Sequence, residues 1–238
     1  MPVIRNIELY IPKQEWNWAF VRETRCMAFL YGRLLPKLNT DDYKGIQILC
    51  LENMEEKQKL DVYDHLTFDY FPVFVSADVR RFFELSDADK KQTAAALVHE
   101  GLIMAAEELG WHTAVFDEIF QQIKDLNYQN IYPLIKKSSP NRKYVCRIMC
   151  HHEVHGIDVY MELAKRNGRV IKSEKLFSSD YTDEQFLLQA EWSLVWRLNH
   201  KIEFANDTHE KIWRLTFLEK EKPEELVWRM QREEQSQT

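Results

Sequence analysis

Two cysteines and three histidines fall within the eleven residues "CRIMCHHEVHG", Cys146 to Gly156. Thiolate and imidazole are the usual ligands of protein-bound zinc, so the first question is whether this spacing can close a metal site. The zinc-protease signature needs His-Glu-x-x-His on one helical face. Here His152-Glu153 is followed by His155, one position early, and Gly156 stands where the second ligand belongs. His99-Glu100 fails in the same way, with Ile103 at the ligand position. Read as a strand, the stretch puts Tyr144, Cys146, Ile148 and Cys150 on one face. The two thiols are then about 13 Å apart, at roughly 3.3 Å of rise per residue. That is too far for one tetrahedral zinc or for a disulfide. The chain must reverse between Cys150 and Ile157, which leaves the histidines in or beside a turn. His151, Glu153 and His155 could converge there as an open divalent-metal site of two imidazoles and a carboxylate. The reading favoured here is a polar hairpin tip with no metal.

Other catalytic templates fit less well. No two of the six glycines, Gly32, Gly45, Gly101, Gly110, Gly156 and Gly168, lie closer than nine residues. That spacing excludes the usual dinucleotide-binding turn, the Walker A loop and the nucleophile elbow. Cys26 falls in a helical pattern and Cys50 in an apolar strand pattern, and His99 edges an almost wholly apolar helix as a core histidine would. Asp64 and His65 are neighbours in a strand pattern and point to opposite faces, so they form no dyad. No catalytic residue and no cofactor are expected.

The elements that must position these residues read as α+β. Val3 to Ile11 alternates as a half-buried strand. Trp16, Phe20, Met27, Leu30, Tyr31 and Leu34 make one helical stripe stopped by Pro36. Strands are predicted over 46–51 and 62–75, the latter interrupted at Pro72. A helix follows between Ser86 as N-cap and Gly110 as stop, apolar around most of its circumference and so buried between layers. Another begins at the N-cap Thr113. After the connector "KKSSPNRK" the period changes to two, with strands over 144–150, 157–163, 170–177, 192–197, 201–205 and 211–218. Asn167-Gly168 marks a hairpin with a bulge that opposes Leu163 to Ile171 and Glu162 to Lys172. Thr182 to Gln185 has capping-box spacing. Pro223 opens a C-terminal helix carrying Leu226, Val227 and Met230, and Glu233 to Thr238 frays. The expected fold is thus a mixed N-terminal half of about three strands and three helices, residues 1–135. An antiparallel β-meander half with a C-terminal helix follows, residues 141–238. The halves form two domains or one continuous one.

Composition narrows the function. A net charge of −6 argues against nucleic acid as a partner. The one basic run, Lys136, Lys137, Arg142, Lys143 and Arg147, reads as a solvated connector, with a docking patch for an acidic partner as the alternative. No signal peptide and no stretch of 18 apolar residues is present, so neither export nor a membrane is expected. Asn206-Asp207-Thr208 is then an accidental glycosylation match. Four cysteines without export suggest reduced thiols in the cytoplasm. The aromatic fraction is 13%, with seven Trp. Trp192, Leu194 and Trp196 share one strand face, and Trp213, Leu215 and Phe217 another. They form sheet core or, alternatively, anchors for a partner. The expectation is a non-enzymatic cytoplasmic protein that binds another protein, a basic one in the manner of acidic immunity or inhibitor proteins. The alternative is a metal-dependent hydrolase using His151, Glu153 and His155.

Overall fold

The computed structural model describes residues 4, 6–12, 15–38, 40, 42–55, 69–208, 210–219 and 226–234. They cluster into two compact units. The first is Met1–Asn130 together with His152–His155, and the second is Ile131–His151 with Gly156–Thr238. Helices and antiparallel sheets are both present, as an α+β chain requires.

The first unit is built on three parallel strands, β1 (Asn6–Tyr10), β2 (Gly45–Leu51) and β3 (Tyr70–Ser76), in the order β1-β2-β3. Helix α1 (Asn17–Leu34) joins β1 to β2. Central β2 is buried at every position, which explains its unbroken apolar sequence. Pro72 does not end the strand. It sits within β3, opposite Gln47, where an edge strand tolerates the missing N–H. Residues 62–68 of the expected strand, like Val3, Asp64 and His65, lie outside the described residues. After β3 comes α2 (Val79–Glu84), a short helix the sequence reading did not contain, capped by the Asp78 carboxylate accepting from Arg81 N at 3.0 Å.

Helix α3 (Asp87–Leu109) begins and ends where its caps predict: Ser86 Oγ accepts from Asp89 N at 3.2 Å, and Gly110 adopts φ 71°. Its apolar arc, including Val98, Leu102 and Ala105, joins Phe20, Met27 and Tyr31 of α1 and Ile46, Ile48, Val73 and Val75 of the sheet in one core. Gly101 lets the α3 backbone approach β2, since a Cβ there would lie 2.6 Å from Ile48 Cδ1. Lys90, 7% exposed, reaches Glu23 of α1 at 2.7 Å. Helix α4 (Ala114–Asp125) has Thr113 at its N-cap, as the sequence predicts, but the Thr113 side chain makes no capping hydrogen bond.

The second unit is two four-stranded sheets. One has the order β4-β5-β6-β7, from β4 (Asn130–Ser138), β5 (Tyr144–His152), β6 (Ile157–Lys165) and β7 (Val170–Ser179). After α5 (Glu184–Gln189), the other has β11-β10-β9-β8, from β8 (Ser193–Leu198), β9 (Lys201–Ala205), β10 (Lys211–Glu219) and β11 (Leu226–Glu234). Cys146, Ile148, Val159 and Met161 of the first sheet share a core with Phe204, Trp213, Leu215 and Phe217 of the second.

Several expectations are corrected here. The C-terminal helix is strand β11, paired antiparallel to β10 with Phe217 opposite Trp228 and Leu215 opposite Met230. A period of two puts Trp228 and Met230 against the core and leaves Val227 and Arg229 exposed, and that pairing outweighs the helical spacing of Leu226, Val227 and Met230. Glu233 and Glu234 belong to β11, and 235–238 lie outside the described residues. The basic connector is largely structure: Lys136 and Lys137 lie on β4, and Arg147 on β5 pairs with Glu162 at 3.1 Å. Ser139 Oγ accepts from Tyr144 N at 3.0 Å in the turn between these strands, where Arg142 takes φ 58°. The Asn167-Gly168 hairpin forms with Gly168 at φ 90°, but its register is one residue from that predicted. Leu163 faces Lys172 and Glu162 faces Ser173, with a shift between Leu163 and Ala164. Helix α5 is capped by Asp183, which accepts from Gln185 N at 3.0 Å, rather than by Thr182.

Candidate docking surface

The chain does reverse between Cys150 and Ile157, but the turn is not a solvated polar tip. His152 and Val154 are 0% exposed, and Val154 joins the core of the first unit. The His152 ring lies 5.8 Å from that of Phe29 on α1. Glu153 accepts from Lys91 Nζ of α3, and His155 Nε2 sits 3.1 Å from Asp87 Oδ1 at an exposed position. His151 instead packs its ring 4.4 Å from Tyr160 of β6. The three candidate metal ligands are thus each held by a different neighbour. No group of three or more His, Cys, Asp or Glu among the described residues is arranged to hold a metal ion.

The remaining candidates fall into place by burial. His99 stacks on Phe120 at 4.4 Å and approaches Asp117 at 3.3 Å. Burial pushes its imidazole below the ordinary value, against the opposing pull of Asp117. Trp213 is 1% exposed, stacked with Phe177 at 5.2 Å, so it is core. Trp192 and Trp196 are half-buried and donate to the carbonyls of Leu187 and Lys137.

All four cysteines are buried and none forms a disulfide. Burial pushes the Cys26 and Cys146 thiols each up to about 12 and raises Cys50 further. A thiol is nucleophilic only as thiolate, so none of these three is placed for catalysis. Native protein at pH 8 is expected to resist iodoacetamide at all four positions and to label fully once unfolded in guanidinium. Mass spectrometry of unreduced protein checks this. Rapid native labelling, or an intact Cys146–Cys150 bridge, would contradict it.

Two exposed tryptophans lie elsewhere, on the first unit. Trp16 is 43% and Trp18 76% exposed, at the start of α1. Trp16 therefore stands outside the core to which its place on the helical stripe assigned it. The helix start is fixed nearby by Asn17 Oδ1, which accepts from Ile11 N at 2.9 Å. The Trp16 ring meets Phe83 of α2 edge-on at 6.2 Å, and Phe20 and Phe82 back them, their centroids 4.9 Å apart. Trp16, Ala19, Arg80, Phe83 and Glu84 line an apolar cleft of about 480 Å³. Beside it, Glu52, Ser76, Ala77, Asp78 and Arg80 line a polar cleft of about 450 Å³. Glu52 follows the last residue of β2, and Ser76 ends β3. Both clefts therefore open at the carboxyl edge of the parallel sheet, the usual ligand side of open α/β sheets.

No family model, curated protein or solved structure matches this chain.

The surface is assembled from residues 16–19, 52 and 76–84, too far apart in sequence for a motif to announce it. Trp18 alone gave a signal: it lies off the apolar stripe of its own helix, where a large ring must face solvent or a partner.

Proposed function

We propose that this chain is a non-enzymatic, cytoplasmic protein-binding protein that engages a basic partner through the carboxyl edge of its parallel sheet, in the manner of an acidic inhibitor or immunity protein. The observation that carries this reading is Trp16, 43% exposed and lining the apolar cleft with Phe83, with the 76%-exposed Trp18 two residues further along the chain. Trp is among the residue types that most often anchor protein interfaces. The carboxylates of Glu52, Asp78 and Glu84 around the two clefts, with a chain charge of −6, favour a basic partner and fast association. Four buried cysteines, none in a disulfide, fit a reducing compartment. No helix among the described residues is long and apolar enough to cross a membrane.

The test is affinity capture from the native host with wild type and with the Trp16→Ala/Trp18→Ala double variant, followed by affinity measurement on whatever basic protein is enriched. Loss of a tryptophan that acts as an interface hot spot costs about 2 kcal/mol or more, so affinity should fall by about 30-fold or more with the melting temperature nearly unchanged. Added salt should weaken binding to wild type. Equal affinity for wild type and the double variant would reject this surface.

A further inference from the structure

The apolar and polar clefts share one lining residue, Arg80. Its side chain is 76% exposed, and its Nε stands 3.8 Å from Glu52 Oε1, at the outer limit of an ion pair. An exposed contact of that length holds its partners weakly. The side chains around the two clefts carry three carboxylates, Glu52, Asp78 and Glu84, against this one guanidinium, a local charge of −2. The Asp78 carboxylate is turned toward Arg81 N by its capping bond. Glu52 is thus the acceptor left for a second cation, and Arg80 leans on it.

We propose that Arg80 occupies, in the free protein, the subsite that an arginine or lysine of the partner takes on docking, so that it acts as an internal competitor. This rests on the docking reading above and deepens it by naming what is recognised. The occupant is an extended segment with an apolar side chain in the Trp16–Phe83 cleft and a cationic side chain two residues away against Glu52. In an extended chain, residues i and i+2 point to the same side about 7 Å apart, and the two clefts are adjacent enough to share Arg80. A partner guanidinium offers a carboxylate two parallel hydrogen bonds, better geometry than the long single contact of Arg80. Arg80 swings away at little cost because its present hold is weak.

This sets a sign opposite to that of an ordinary interface arginine, whose removal weakens binding. The probe is the pentapeptide acetyl-Gly-Leu-Gly-Arg-Gly-amide, titrated into the full chain and followed by backbone amide NMR shifts. Its control carries citrulline in place of arginine. Arg80→Ala is expected to bind the arginine peptide about 5-fold more tightly than wild type, a gain absent with the citrulline control and absent in Arg80→Ala/Glu52→Gln. Arg80→Gln should show the same gain, and neither exposed substitution should alter the melting curve. If Trp16→Ala weakens the peptide but Arg80→Ala weakens it too, the competitor role is overturned and the docking surface stands. A gain of equal size with citrulline overturns it as well. No shift at either cleft with any variant overturns both the competitor role and the docking reading.

Discussion

Gly101→Val is expected to destabilise the first unit by about 3 kcal/mol, near the upper end of what overpacking a core costs. Gly101 lies on the face of α3 that meets β2, and a Cβ built there stands 2.6, 2.7 and 3.0 Å from Cδ1, Cγ1 and Cγ2 of Ile48. Ile48 cannot give way, because it is 0% exposed on a strand held between β1 and β3. The helix must move outward, breaking its packing on the sheet. Alanine makes the comparison sharper. In a helix interior Ala is favoured over Gly by about 1 kcal/mol, so Gly101→Ala would stabilise a loosely packed helix. Here the first carbon added already clashes, and a net loss of about 1 kcal/mol is expected. Ile48→Val removes Cδ1, the closest atom, so Gly101→Ala/Ile48→Val should be more stable than the sum of the single changes predicts. Urea denaturation followed by circular dichroism at 222 nm measures all four proteins. An unchanged midpoint for Gly101→Val would show that α3 does not lie this close to β2.

Trp213→Ala is expected to cost about 3–5 kcal/mol in the second unit. Trp213 is among the largest fully buried side chains and contacts three other rings: Phe177 at 5.2 Å, Phe204 at 5.5 Å and Trp192 at 6.2 Å. Arg232 lies over its face at 5.9 Å. Truncation empties the centre of the core, and the flanking strands cannot collapse into the space. Trp213→Phe separates ring packing from the polar tip. The buried Nε1–H has no hydrogen-bond partner among the described residues. Phenylalanine therefore keeps much of the stacking and removes an unsatisfied donor, which offsets part of the lost volume. Its cost should be about 1 kcal/mol. Thermal denaturation of the two variants against wild type decides the matter: equal losses would mean that the indole N–H carries more than the ring.

Signals in the sequence were legible where they were local. Ser86 and Gly110 bounded α3 because a cap is decided by one side chain and one dihedral angle. Gly168 marked its turn for the same reason, while the register there slipped by one because a bulge shifts pairing without leaving a mark in residue type. Where two periods fit, tertiary partners decided. Leu226, Val227 and Met230 suit a helix in isolation, but β10 offers an edge on which Trp228 and Met230 match Phe217 and Leu215. Strand β4 was hidden by Pro133, Lys136 and Lys137, residues that an edge strand accepts and a central one does not. The parallel order of β1, β2 and β3 depends on pairing between distant segments and has no local signature. The two clefts lined by Trp16, Glu52, Asp78, Arg80 and Phe83 were invisible for the same reason. In the histidine-rich turn the informative residue was its single aliphatic one. Val154, among polar neighbours, is what the core of the first unit buries.

That turn makes the first unit discontinuous: its core runs through Asn130, leaves the chain for Ile131–His151, and is completed by His152–His155. Translation delivers these pieces in order. At roughly 5–20 residues per second, about 1–5 s separate synthesis of Asn130 from that of His155. During that interval the chain carries neither the Val154 side chain for the core of the first unit nor Glu153 for Lys91. Maturation of the first unit is thereby timed by synthesis of the opening strands of the second, and a fragment ending at residue 130 is not the first unit but its unfinished precursor.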